Sequence, residues 1–266
     1  MASPRIFDQA ARDYDELRPG YPEELIKDII HISGIPDVGR ILEVGCGTGQ
    51  ATVPFARMGY KMLCLDVGSN LLALAEERCK SYSGADFLNA SFEEWEPGCE
   101  TFDLLISATA FHWIPPEIGF PKAARVLVDS GHIALFWNMH PRPFTGFFEE
   151  VQEVYRRVVP EWGDPRDEPS TEDMIRERRD QIDGSGLFGK VTVKRYPWSR
   201  IYDRDQYLRL LNTYSDHGGL AEPKRRKLFE GIGAVIEDRY GGEITRPYLS
   251  VLYIARKKGT TAPSRI

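Results

Sequence analysis

The chain has 266 residues, enough for one large α/β domain or two small ones, and 42% apolar and 28% charged residues are typical of a globular protein. The formal net charge of −6 argues against general nucleic-acid binding, because an acidic protein repels the phosphate backbone. No run of about 18 apolar residues is present, and charges stand where a signal peptide would have its apolar core, so neither a membrane span nor export is predicted.

The N-terminal segment predicts two helices with a break between them. Residues 7–15 have a helical composition, Pro-Gly and Tyr-Pro pairs interrupt it, and residues 23–31 show the spacing of an amphipathic helix. Two interpretations remain open. The segment is either a packing cap or a lid that brings Tyr14, Arg18 and Tyr21 close to the glycine-rich loop that follows.

A glycine-rich turn follows the first predicted strand, residues 41–44. Gly45, Gly47 and Gly49 alternate with other residues, and a helix predicted over residues 50–58 follows them directly. Glycine has no Cβ and turns sharply at little steric cost, so a ligand can approach the backbone closely. The free N–H groups at the start of the helix would face the same ligand. The sequence therefore predicts a ligand-binding loop at this point.

Strands and helices then alternate through the first half of the chain. Such alternation predicts a parallel sheet with right-handed crossovers, and the apolar runs of its later strands suit strands covered on both faces. Strands are predicted over residues 61–66, 85–89, 102–107 and 131–138, and helices over 71–79 and 121–127.

The regular alternation of strands and helices ends after Asn138, although no linker or repeat separates the two halves. We therefore expect a single domain over residues 1–266, with a ligand-binding core over 7–138 and a helical cap plus the last strands over 139–266. Helices are predicted over residues 144–159, 174–182, 204–214 and 222–238, and strands over 191–196 and 244–255.

Two kinds of nucleotide site compete for the glycine loop. The dinucleotide fingerprint requires G-x-G-x-x-G with an acidic residue about 20 positions further on, and Asp66 meets the second requirement at the end of the second strand. The spacing here is G-x-G-x-G, one residue shorter, and Glu43 precedes it. No lysine follows the glycines, which excludes a P-loop. A nicotinamide-dependent oxidoreductase is the competing interpretation.

Glu43-Val44-Gly45-Cys46-Gly47-Thr48-Gly49 resembles motif I of the class I S-adenosylmethionine-dependent methyltransferases. The resemblance covers about residues 7–138 and includes Asp66 and the segments 91–95, 102–104 and 111–114. It is closest to the small-molecule enzymes of the type 11 and trans-aconitate-methyltransferase-like group. This resemblance implies a Rossmann-like, seven-stranded, mostly parallel sheet with helices on both faces and a helical substrate cap.

The resemblance also implies roles for particular residues. Glu43 would suit the ammonium group of S-adenosylmethionine directly or through water, Asp66 would accept from the ribose diol, and Ser91 and Phe92 would line the adenine. The other residues expected to bind this cofactor are Tyr14, Arg18, Gly45, Cys46, Gly47, Gly49, Val67, Ala108 and Phe111.

Methyl transfer from a sulfonium is a displacement at an already activated carbon, so alignment in a dry site supplies much of the rate and a general base is optional. His112 is the candidate base, although its place between two aromatic residues favours a role in which the Phe-His-Trp segment walls the methionyl side of the cofactor. Asn138 and His140 follow the fifth strand, where substrate is expected.

The acceptor is expected to be a small organic molecule, and a non-catalytic S-adenosylmethionine-binding protein is a further alternative. The aromatic residues of the C-terminal half, Tyr214 among them, are expected to pack in the core rather than to line a pocket. Four cysteines form no CxxC pair, so no metal site is predicted and a reducing, cytoplasmic location is expected.

Overall fold

The computed structural model describes residues 11–259, and a seven-stranded sheet organises them. The start of the first predicted helix, residues 7–10, and the tail from residue 260 lie outside this range. The strands, numbered in chain order, are β1 Arg40–Val44, β2 Lys61–Asp66, β3 Ala85–Asn89, β4 Phe102–Ala108, β5 Leu127–Met139, β6 Thr192–Asp203 and β7 Glu243–Arg256.

Helices connect most of these strands, and a 3-10 turn at Phe111–Trp113 follows β4. None of the helices between residues 11 and 259 combines the length and the apolar content that crossing a bilayer requires. The α-helices are α1 Ala11–Leu17, α2 Glu23–Ser33, α3 Thr52–Arg57, α4 Ser69–Cys79, α5 Pro116–Val126, α6 Phe147–Glu150, α7 Gln152–Val158, α8 Thr171–Gly184, α9 Arg204–Asn212, α10 Ser215–Gly218 and α11 Glu222–Tyr240.

The strand order is β3-β2-β1-β4-β5-β7-β6, and the sheet is parallel except for β7. The order reverses between β1 and β4, so the crossovers leave the sheet in opposite directions there. In sheets of this kind ligands bind in the crevice outside the carboxyl ends of the strands at such a reversal. The expected Rossmann-like, seven-stranded, mostly parallel sheet is confirmed.

Both faces of the sheet are covered, which explains the uninterrupted apolar runs of β1 and β4. On one face, Ile26 of α2 and Phe55 of α3 pack with fully buried residues of β1 and β4. On the other face, Phe120 of α5 and Ile175 of α8 pack against the opposite sides of the same strands. Neighbouring residues of one strand therefore belong to different cores.

A helical cap rises beyond the carboxyl end of β5. The pairing of β5 with β7 stops at Met139 and Leu249, whereas β6 and β7 stay paired as far as Asp203 and Glu243. The outer part of this antiparallel β6–β7 pair packs with α6, α7, α9 and α11 around buried residues such as Tyr202. The cap is thereby held beside the edge of the sheet where the ligand crevice is expected.

Two predicted helices have different bounds in the structure. The helix predicted over residues 121–127 begins at Pro116, because Pro115 and Pro116 have the φ of a first helical turn and initiate it. The helix predicted over 144–159 is replaced by α6 and α7. Gly146 takes a φ of +56°, which prevents the helix from starting earlier.

Candidate active site

The glycine loop follows β1 and bends so tightly that three of its residues favour glycine. Gly45 has a φ of +73°, Gly47 a φ of +56° and Gly49 a φ of +86°, in the region that residues with side chains rarely adopt. A Cβ on Gly45 would stand 2.3 Å from the Cβ of Ala110, closer than two carbons can approach. The N–H groups of Gly45 and Cys46 both donate to the carbonyl of Leu65, at 2.9 and 3.1 Å.

Asp66, the last residue of β2, fixes the other side of this loop. One carboxylate oxygen accepts a hydrogen bond from the N–H of Gly47 at 2.8 Å, and the second accepts from the N–H of Gly68 at 2.8 Å. The carboxylate therefore joins the glycine loop to the start of α4. Because carboxylate oxygens accept more than one hydrogen bond each, Asp66 retains acceptor capacity for a ligand.

A cavity of about 270 Å³, here called the loop cavity, opens between the glycine loop and the ends of β2 and β4. Its walls combine exposed backbone, the carboxylates of Asp66 and Glu93 and a mainly apolar far side. The lining residues are Tyr14, Val44, Gly45, Gly47, Leu65, Asp66, Val67, Leu71, Ala90, Ser91, Phe92, Glu93, Ala108, Thr109, Ala110, Trp113 and Ile114.

A second cavity of about 120 Å³, the cap cavity, lies on the cap side of the same loop. Arginine and tyrosine side chains dominate its polar lining. The lining residues are Tyr14, Arg18, Pro19, Tyr21, Gly45, Cys46, Gly47, Gln50, Ala51, Ala108, Thr109, Asn138, His140, Tyr214, Arg246 and Tyr248.

The two cavities share a wall made of Tyr14, Gly45, Gly47, Ala108 and Thr109. Thr109 is the non-glycine residue with a positive φ, +57°, in the described part of the chain. A β-branched residue in this conformation is strained, and such strain is typical of functional sites. The backbone N–H of Thr109 donates to Phe136 at 2.8 Å, which holds the strained turn at the wall.

Glu43 lies beneath the glycine loop and lines neither cavity. It is fully buried, and Oε2 accepts a hydrogen bond from the Thr52 hydroxyl at 2.7 Å. Burial, partly opposed by hydrogen bonds from Thr52 and Cys64, raises the pKa of Glu43 to about 8. The geometry thus differs from the expected direct contact with an ammonium group, because the carboxyl points into the protein under the loop.

Gly49 and Phe111 also stand behind the cavities. Gly49 packs beside Ala75 of α4, where a Cβ would make ordinary contact at 3.5 Å. The ring of Phe111 is buried, with its centroid 6.3 Å from that of Phe92 and 5.3 Å from that of Phe120. Phe111 therefore supports Phe92, which does line the loop cavity.

The catalytic prediction for His112 is not supported by this geometry. His112 is exposed and lines neither cavity, whereas its neighbour Trp113 lines the loop cavity. Its Nδ1 accepts a hydrogen bond from Nε1 of Trp137 at 3.2 Å. Although part of the residue faces solvent, the imidazole ring lies near the rings of Trp113 and Trp137. Its desolvation there, and to a smaller extent repulsion from Arg178, lowers the pKa of His112 to about 4. The wall role expected for this segment therefore falls to Trp113.

The remaining predicted residues lie on the cavities, although Arg18 and Cys46, which were expected to bind the cofactor, line only the cap cavity. Asn138 and His140 line the cap cavity, as their place after β5 suggested.

Sequence reasoning missed Arg246 and assigned Tyr214 to the core, although both line the cap cavity. A signal for Arg246 was present in the sequence of β7. Side chains two residues apart in a strand point to the same face, so Arg246 shares its face with the buried Ile244 and Tyr248.

Comparisons with known proteins find similarity to methyltransferases. A family model described as a methyltransferase domain matches residues 41–131, which include the glycine loop and the loop-cavity residues up to Ile114. An uncharacterised methyltransferase-like protein of Schizosaccharomyces pombe is 26% identical over 225 residues, which cover 84% of this chain and 83% of that protein. A Saccharomyces cerevisiae protein, named as a probable S-adenosylmethionine-dependent methyltransferase, is 28% identical over 148 residues, 54% of this chain and 50% of that one.

The fold has close counterparts among solved structures. A protein of Anaeromyxobacter dehalogenans, assigned provisionally as a type II methyltransferase, superposes with a TM-score of 0.59 at 22% identity, covering 91% of this chain and 97% of that chain. This likeness concerns the fold. Together with the family model over residues 41–131 and the methyltransferase relatives, it supports a class I S-adenosylmethionine-dependent methyltransferase with S-adenosylmethionine as its cofactor.

Proposed function

We propose that the protein transfers a methyl group from S-adenosylmethionine to a small organic acceptor by in-line displacement. The observation that carries this proposal is the shared wall between the loop cavity and the cap cavity. Two sites that meet at Gly45, Gly47 and Thr109 would bring a donor and an acceptor together without a long transfer path. Proximity and orientation of this kind supply a large part of the rate of a two-substrate reaction.

The loop cavity fits S-adenosylmethionine in its chemistry. Gly45 and Gly47 present backbone without side chains, Asp66 offers carboxylate oxygens for ribose hydroxyls, and Phe92 with Ser91 supplies a wall for a flat base. When bound, the cofactor supplies a methyl group on a cationic sulfur. The carbon–sulfur bond breaks as the acceptor atom forms its new bond to the methyl carbon, and the sulfur keeps the bonding electron pair. The apolar far wall would keep water away from this electrophile.

The cap cavity supplies the acceptor side of the proposal. Asn138 is held in place there, since its Nδ2 donates to the carbonyl of Gly20 at 3.0 Å and its Oδ1 accepts from the Ser250 hydroxyl at 2.5 Å. The phenol of Tyr21 shares a hydrogen bond of 2.8 Å with the Thr109 hydroxyl. These fixed groups would orient an acceptor, and any proton that the acceptor carries would pass to solvent after transfer.

Binding and turnover test the reaction class. Calorimetry should show binding of S-adenosylmethionine and S-adenosylhomocysteine, and a panel of carboxylates, amines, phenols, thiols and phosphates should yield a methylated product with S-adenosylhomocysteine in equal amount. Cofactor binding without transfer to any acceptor of the panel would favour a non-catalytic role.

A stereochemical experiment tests the in-line step itself. S-adenosylmethionine with a chiral methyl group should give a product in which the configuration at the methyl carbon is inverted, because the acceptor attacks opposite the departing sulfur. Retention of configuration would contradict direct transfer and would indicate a methylated protein intermediate.

A further inference from the structure

Among residues 11–259, those that line the cap cavity carry positive charge and include no carboxylate. The described residues that line it include Arg18 and Arg246 but neither aspartate nor glutamate. Burial, together with repulsion from Arg246 and Arg142, lowers the pKa of His140 to about 3. The imidazole is therefore neutral at pH 7, and the two guanidinium groups determine the charge of the cavity.

Arg246 reaches this cavity without an ion-pair partner among residues 11–259. Its Nη1 donates to the Tyr207 hydroxyl at 3.3 Å, whereas its Nε is buried and has no hydrogen-bond partner in the described part of the chain. The guanidinium carbon lies 5.2 Å from the ring centroid of Tyr248 and 5.7 Å from that of Tyr214. Aromatic faces offset only part of the cost of burying a charge, so a missing anion is indicated.

Arg18 supports the same charge from the other side of the cavity. Its Nε donates to the Thr213 hydroxyl at 3.0 Å and its Nη2 to the Thr213 carbonyl at 2.8 Å. Its guanidinium carbon lies 4.2 Å from the ring centroid of Tyr214, the ring that Arg246 also approaches. Both cations are thus anchored around one aromatic ring.

The size of the cavity limits what the charge can bind. Its volume of about 120 Å³ is well above the ~10–15 Å³ that a single water molecule needs. A carboxylate or a phosphate fits such a space, and the planar fork of an arginine binds either group through paired N–H donors. Resting on the methyl transfer proposed above, we infer that the acceptor carries an oxyanion whose charge is bound by Arg246 in the cap cavity.

Matched ligands test this inference without knowledge of the natural acceptor. Calorimetry on the protein saturated with S-adenosylhomocysteine would compare benzoate and phenylphosphonate with neutral benzamide. At least one of the anions should bind about ten-fold more tightly than benzamide, as expected for hydrogen bonds to a charged group. The stronger of the two anions identifies the acceptor group as a carboxylate or a phosphate.

Variants at Arg246 test the residue. Arg246→Gln should abolish the preference for the anion, and Arg246→Lys should retain part of it, because lysine keeps the charge but not the paired donors. Both variants should bind S-adenosylhomocysteine like the parent protein, which also verifies that they fold. Arg226→Gln, at an exposed position of α11 in the same cap, serves as the matched control and should change neither affinity.

Three results would overturn the inference: benzamide binding as tightly as the anions, no binding of either anion at millimolar concentration, or an unchanged preference in Arg246→Gln. Failure of the proposed function would look different. In that case S-adenosylhomocysteine would not bind, or no acceptor of any charge would be methylated.

Discussion

At the scale of single residues, the carboxyl groups on either side of the glycine loop have opposite surroundings. Asp66 meets two backbone N–H groups at the cavity wall, whereas Glu43 is fully buried under the loop. Oε1 of Glu43 has no hydrogen-bond partner among the described residues. One carboxylate is therefore placed to bind, and the other is costly to ionise.

Glu43 should make stability depend on pH. Its pKa rises from 4.5 to about 8 on folding, so folding favours the protonated form. This contribution is complete below pH 4.5 and is lost as the pH rises through 8, at ~1.4 kcal/mol per pKa unit. Glu43→Gln should flatten the pH dependence of the unfolding free energy between these limits, measured by urea denaturation. Identical slopes in the two proteins would refute the buried, protonated carboxyl.

Asp66→Ala should weaken binding of S-adenosylhomocysteine by about 1–3 kcal/mol. The substitution leaves the N–H groups of Gly47 and Gly68 unpaired and removes an acceptor from the loop cavity. Calorimetry on this variant can be compared with Asp86→Ala, an exposed aspartate of β3 that lines neither cavity. Equal affinities for the two variants would remove Asp66 from the site.

His112→Ala should change turnover at saturating acceptor by less than about ten-fold. Loss of a general base costs ~10²–10⁴-fold, and His112 lies outside both cavities. The pH profile of turnover provides a second readout, since a catalytic His112 would leave an inflection near pH 4 that the variant lacks. A hundred-fold loss together with that change in profile would restore the catalytic role.

At the scale of elements, α1 joins the glycine loop to the cap. Arg209 of α9 forms ion pairs with Asp13 and Glu16 of α1, at 2.7 and 2.6 Å. The same short helix carries Tyr14, which lines both cavities.

Asp15 of α1 also pairs with Arg78 of α4 at 2.8 Å and Leu17 is fully buried, so the cap and the core together hold this helix over the two sites. The place of Tyr14 on both cavities fits the lid interpretation of the N-terminal segment, and the burial of Leu17 fits the packing interpretation.

Arg209→Ala should therefore weaken cofactor binding and raise the KM for the acceptor together, each by about 1.4- to five-fold. The range follows from the ~0.2–1 kcal/mol typical of exposed ion pairs. Because such pairs are screened, the difference from the parent protein should shrink at high salt. Arg179→Ala removes an exposed ion pair of α8 and is the control. A change in only one of the two constants would contradict a shared lid.

At the scale of the whole molecule, sequence reasoning succeeded where structure is local. The strands β2 and β3 were predicted with their observed bounds, because polar residues or glycines stand at their ends, although β3 is an edge strand without a buried residue. Most residues singled out around the glycine loop line a cavity for the same reason, since the motif and the strand ends fix them. The single domain over residues 1–266 stays a prediction.

The cap side of the site could not be read in this way. Arg246 of β7 meets Tyr207 and Tyr214 only after the helices between β6 and β7 have folded back onto the sheet. Glu43 likewise looked like a ligand contact, and only its packing against Thr52 shows which way the carboxyl points. Long-range packing and side-chain direction leave little trace in local spacing.

The extension of the antiparallel β6–β7 pair past β5 has an evolutionary consequence. Within residues 41–131, the stretch shared with the methyltransferase domain, lie nearly all walls of the loop cavity. Asn138, His140, Tyr214 and Arg246 lie outside it. Substrate choice can therefore diverge through changes in the C-terminal half while the methyl donor is retained, so relatives that share the donor need not share an acceptor.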